Sequence, residues 1–69
     1  MKYIITDKNE AKIGNGYHFE LAIGCEGKVI RAGYCNKLVD GTYEVFGESI
    51  GYKINSLKED ATLLTNLLK

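Results

Sequence analysis

The sequence contains no proline and no tryptophan, one histidine, one methionine and two cysteines in 69 residues. Two cysteines are too few for a disulfide-stapled secreted domain, and too few for a structural zinc site. One histidine with no second histidine and no paired cysteine beside it is a weak metal signal, so no metal or cofactor is assigned. No stretch of about 20 apolar residues occurs, as a membrane-spanning helix needs, and no apolar leader precedes the first β-rich segment. The expectation is a soluble, cytoplasmic protein with reduced thiols. Charge of one sign is also missing. Nine basic residues balance nine acidic ones, and the longest like-charge run is Glu59-Asp60. Without a surplus of Lys and Arg, binding to nucleic acid or a membrane surface is disfavoured. Linkers, repeats and low-complexity tracts are absent.

What is present is an ordinary globular composition, 45% apolar and 26% charged. The length allows one domain, spanning residues 1–69. A core this small supplies only about 3–5 kcal/mol on its own, so association into a homodimer or higher oligomer is expected. Lys2 to Thr6 (KYIIT) is β-branched and aromatic and predicts a strand. Residues 7 to 16 are polar and end in the turn cluster Gly14-Asn15-Gly16. Tyr17 to Ile23 (YHFELAI) alternates, which predicts a half-buried strand with Tyr17, Phe19 and Leu21 facing the core. Gly24 to Gly27 reads as a hairpin turn. Lys28 to Leu38 follows as a strand with Ile30, Ala32 and Tyr34 on its core face. Asp40-Gly41 predicts a two-residue turn of the I′ type. Thr42 to Gly47 and Ile50 to Ile54 read as further strands. Ser56-Leu57-Lys58-Glu59 has capping-box form and opens a helix with a stripe of Leu57, Ala61, Leu64 and Leu68, widened by Leu63 and Leu67. Asp60 falls inside that stripe, where reaching solvent or the amides of the first turn is favoured over a role in a site. The predicted fold is α+β, an antiparallel meander sheet of four to five strands with one C-terminal amphipathic helix on one face.

The two turns fix two registers. The first places Glu20 opposite Arg31, and the second places Lys37 opposite Glu44. On the outer face His18, Gly33 and Glu48 then share a row, ringed by Arg31, Cys35 and Phe46. Gly33 would leave a shallow floor between an imidazole and a carboxylate. This constellation, with the glycine loop at Gly14 and Gly16, is the candidate site for a nucleotide or other small anion. The candidate interface residues are Val29, Cys35 and Phe46 on the outer face, with Leu63 and Leu67 on the helix.

Gly47-Glu48-Ser49-Ile50-Gly51 matches the G-x-S-x-G pattern of a hydrolase nucleophile elbow. The elbow needs a helix after the serine and a histidine later in the chain. Here the following residues are β-patterned and His18 precedes the serine, so the glycines are read as a bulge or corner. Five tyrosines and two phenylalanines could stack nucleic-acid bases, yet most fall on the expected core face. His18 is read as an exposed strand residue, Cys25 as an exposed turn thiol and Cys35 as an unreactive structural thiol. No catalytic residue is assigned. Three functions remain in order. The first is a non-catalytic accessory or inhibitor protein that docks on a partner protein, as small phage or mobile-element proteins do. The second is a binder or sponge for a nucleotide or other anion. The third is a small enzyme using His18, Glu48 or Cys35.

Overall fold

Residues 1–68 are described by a computed structural model. The most apolar short run becomes the middle of the structure. Strand β1 (Lys2–Thr6) lies between β2 (Ala11–Gly14) and β3 (Val29–Lys37), and β4 (Tyr43–Phe46) completes a sheet of order β2-β1-β3-β4 in which every pairing is antiparallel. A short helix, α1 (His18–Leu21), links β2 to β3. A two-strand hairpin, β5 (Glu48–Ser49) with β6 (Ile54–Asn55), leads into the C-terminal helix α2 (Glu59–Leu67). The chain is thus α+β, with a four-stranded antiparallel sheet and one longer helix at its C-terminal end, as the sequence leads one to expect.

Which segments form the sheet differs from expectation. Tyr17 to Ile23 instead holds α1 and the turn that follows it, with the Leu21 amide donating to the Tyr17 carbonyl at 3.2 Å and the Ala22 amide to His18 at 3.3 Å. A seven-residue run satisfies period 2 easily, and Glu, Leu and Ala are good helix formers. The Glu20 carboxylate also takes the free Tyr17 amide at 2.9 Å, which favours a helical turn here. The partner lost to β3 is replaced by β1, with Ile4 opposite Ala32. Strand β2 comes from the segment read as polar loop, where Ala11 and Ile13 turn inward and Lys12 outward. The Glu20–Arg31 cross-strand pair therefore does not exist.

The β3–β4 turn is longer by one residue than a two-residue hairpin. Lys37 pairs with Tyr43 and Asn36 with Glu44, and Leu38 and Thr42 close a loop of Val39, Asp40 and Gly41. Asp40 accepts the Thr42 amide and hydroxyl at 3.0 and 2.6 Å, and Gly41 has φ 89. This is the turn-plus-bulge loop that ends in a left-handed residue. A slip of one residue turns every side chain to the other face. Cys35 accordingly faces α2 and is fully buried with Tyr3, Ile5, Tyr43 and Leu64, flanked by Ala11, Ile13, Val45, Leu67 and Leu68. Ile4 and Ala32, on the opposite face, are also fully buried. That face is covered by α1, whose Leu21 sits on Gly14 and whose His18 meets the Tyr34 ring edge-on.

Candidate functional site

The end of β4 decides where the site forms. The chain turns a corner at Gly47, folds back through the β5–β6 hairpin and packs on β3. Between this hairpin and α1 lies a cleft of about 330 Å3 lined by Tyr17, His18, Phe19, Ser49, Gly51 and Tyr52. Tyr17 and Phe19 stack nearly parallel, with centroids 5.5 Å apart. They are 66% and 61% exposed, in contrast to the core positions expected from alternation. The Lys2 ammonium lies 5.9 Å from the Tyr17 centroid and 5.7 Å from that of Tyr34, within cation–π range.

The polar groups of the cleft are buried. His18, expected on an exposed strand, is 9% exposed at the start of α1. Its Nε2 lies 2.8 Å from the Gly33 carbonyl oxygen. A carbonyl only accepts, so Nε2 carries the hydrogen. Ser49 has no exposed surface, and its Oγ accepts the Tyr52 amide at 3.4 Å. The serine of the G-x-S-x-G stretch therefore stands in a strand–turn–strand hairpin, not on the strand-to-helix turn of a nucleophile elbow. The glycines form a corner at Gly47 and a turn position at Gly51.

The other candidate residues separate. Gly33 does meet His18, but it leaves no open floor. A β-carbon there would stand 2.9 Å from the Ser56 Cβ and 3.1 Å from the Phe46 carbonyl, so the glycine admits the β6–α2 connection. Glu48 is exposed and pairs with Asn55. Arg31 is committed to Asp60, with Nε 3.1 and 3.2 Å from the two carboxylate oxygens, and its outer nitrogen donates to the Asn55 carbonyl. Gly14 ends β2 opposite Lys2, and Gly16 sits beside the Glu20 carboxylate. Cys35 and His18 lie on opposite faces of the sheet, so a thiol–imidazole pair does not form. Burial raises the Cys35 thiol pKa. Of the candidate interface residues, Phe46 and Leu63 are exposed, Val29 and Leu67 are half-buried, and Cys35 is in the core. Among the described residues no cluster of His, Cys, Asp and Glu has the form of a metal site, and no helix is long and apolar enough to cross a membrane.

Among the described residues, Asp60 is the one acidic side chain that is fully buried. It reaches the Leu57 amide of the first turn at 3.1 Å, as expected, but not solvent, since it has no exposed surface. It also accepts from Tyr3 at 2.5 Å. Burial, and then the Asp60 carboxylate, drive the Tyr3 phenol pKa far above its ordinary value, so Tyr3 remains a donor. The expected Ser56–Glu59 capping box is not formed, because Asp60 occupies that role one residue further on. A second carboxylate closes the Gly24 to Gly27 turn. Glu10 accepts the amides of Glu26 and Gly27 at 2.9 and 2.7 Å. These two bonds, with the Thr6 hydroxyl, lower its pKa.

Sequence reasoning did not connect Ser49 and Tyr52 with His18, because the hairpin that brings them together is only two residues deep. No protein-family model, curated protein or solved structure matches the chain.

Proposed function

We propose that the chain is a small non-catalytic binding protein, and that the cleft between α1 and the β5–β6 hairpin is where it binds a small molecule. The observation that carries this reading is the combination of walls and floor in one cavity. Exposed, stacked aromatic rings stand at the cleft, and two buried polar side chains line it. Small-molecule sites have this make-up and volumes of roughly 300–1,000 Å3. A thermal-melt panel of small metabolites tests it, with NMR shifts of the Tyr17, Phe19 and Tyr52 rings as the local readout. A ligand is expected to raise the melting temperature and to move those signals first. Uniform lack of response across the panel would remove the reading.

A second reading is docking on a partner protein or on another copy of this chain, the accessory role that the composition favours. Ile50 and Ile23, 82% and 72% exposed, with Leu57 just before α2 and Leu63 on it, support it. Sedimentation across a range of protein concentrations separates the two readings. Mass that rises with concentration in the wild type and not in Leu63→Glu supports association through α2.

A further inference from the structure

We infer that the Asn15-Gly16 step is a site of spontaneous modification, where Asn15 loses its side-chain amide and becomes an aspartate or an isoaspartate, and that the Lys2 ammonium assists the reaction. The inference is independent of what the cleft binds.

The reaction needs only water. The Gly16 amide, stripped of its proton by hydroxide, attacks the Cγ carbon of Asn15. A bond from the Gly16 nitrogen to Cγ forms, the bond from Cγ to Nδ2 breaks, and ammonia leaves with protons taken from water. The product is a cyclic imide. Water then opens either of its carbonyls. Opening at Cγ restores the ordinary chain with an aspartate, and opening at the backbone carbonyl leaves an isoaspartate linked through its side chain. Overall one water enters and one ammonia leaves.

Asparagine is among the chemically labile residues, and the fold leaves this one unguarded. Asn15 is exposed in the turn between β2 and α1. Among the described residues neither its side chain nor the Gly16 amide has a hydrogen-bond partner, so the two groups are free to approach. Glycine on the attacking side places no side chain in the path of ring closure and leaves the backbone free to turn. The attacking amide is an anion, whose charge resonance shares with the Asn15 carbonyl oxygen. The Lys2 ammonium stands 3.5 Å from that oxygen, and a positive charge there favours the anion. The Glu20 carboxylate, also beside Gly16, opposes it, but its charge is partly met by the Tyr17 amide.

No other asparagine precedes a glycine, and each is held by structure. After Asn9 the Glu10 amide donates to Thr6 Oγ1 at 3.2 Å. After Asn55 the Ser56 amide donates to the Gly47 carbonyl at 3.0 Å. Asn36 Nδ2 donates to the Glu44 carboxylate at 3.2 Å, and Asn66 lies within α2. The modification would add a negative charge to a chain of balanced charge. The ammonium that meets the Asn15 carbonyl also stands 5.9 Å from the Tyr17 centroid, so the new charge would draw on the cation beside one wall of the cleft.

The test incubates the full chain in mildly alkaline buffer made with heavy-oxygen water, followed by peptide mapping with fragmentation that separates aspartate from isoaspartate. Heavy oxygen is expected at position 15 in both forms, ahead of every other asparagine, at a rate that rises with hydroxide. Lys2→Gln should slow the gain about fivefold at low salt, the effect of one charge at this distance in water, and added salt should narrow the difference. Asn15→Gln changes an exposed side chain, so it should leave the circular dichroism spectrum unchanged and abolish the gain at that position. Heavy oxygen reaching another asparagine first would overturn the inference. So would a native chain that gains none at position 15 while the urea-unfolded chain does, since the fold would then guard the site. Equal rates in wild type and Lys2→Gln would overturn the part given to Lys2.

Discussion

Asp60 is a carboxylate without exposed surface in a protein of 69 residues. A buried charge is retained only when paired and hydrogen-bonded, and Arg31, Tyr3 and the Leu57 amide do this together. Removing one partner of a buried pair costs about 3–5 kcal/mol. That matches what the whole core of such a domain supplies, about 3–5 kcal/mol. Asp60→Ala is therefore expected to be largely unfolded at 25 °C. Tyr3→Phe removes one hydrogen bond to a charged group, at about 1.5–3 kcal/mol, and should fold with a lowered urea midpoint. Circular dichroism in urea checks both, and an Asp60→Ala midpoint equal to wild type would contradict the assignment. The two thiols give a second contrast. Cys25 is partly exposed and Cys35 is buried with a raised pKa. One thiol per chain should react quickly with a thiol reagent in the native state, and the other only on unfolding.

At the scale of the elements, the two loops beside β1 are joined by Glu10. Its folded pKa is below the ordinary carboxylate value. The stability it adds is present above that ordinary value, about pH 4.3, and is lost as pH falls through the lower folded one. The urea midpoint should fall across this acid range, and the fall should be smaller in Glu10→Gln. A constant difference between the two proteins at all pH values would count against the loop contact. Gly33→Ala tests the other close approach. The added carbon would press on Ser56, Tyr3 and the Phe46 carbonyl at 2.9 to 3.1 Å, and overpacking of this kind costs about 1–3 kcal/mol. These contacts also explain what the sequence could tell. The β1, β3 and β4 segments and helix α2 were legible, β1 from its β-branched and aromatic composition and α2 from the recurrence of its leucines. Tyr17 to Ile23 was not, because alternation over so short a run fits a helical turn as well. Asp40-Gly41 announced a turn but not its length, and that one residue moved Cys35 from the expected outer face to the core. The meeting of His18 with Gly33 was anticipated, although a helix and not a strand delivers the histidine. Ser49 and Tyr52 carried no pattern that tied them to it.

The molecule as a whole has a Cα radius of gyration of 10.6 Å, close to the roughly 11 Å expected for a folded chain of its length. The single chain already reaches the compactness of a folded monomer. Any association should therefore join preformed surfaces without coupled folding, and dilution should separate copies while the circular dichroism spectrum stays constant. The bond between Tyr3 and Asp60 spans 57 positions of the sequence. Helix α2 cannot lift from the sheet without taking from Tyr3 and Arg31 the acceptor they share. Partial opening of the C-terminal helix thus forfeits much of what complete unfolding does, and the intermediate states in which a small protein frays are disfavoured. Amide protons of α2 and of β1, at opposite ends of the chain, should then exchange with solvent through one and the same event. Their protection should be equal and should fall together in Tyr3→Phe, so that the first strand reports every opening of the last helix.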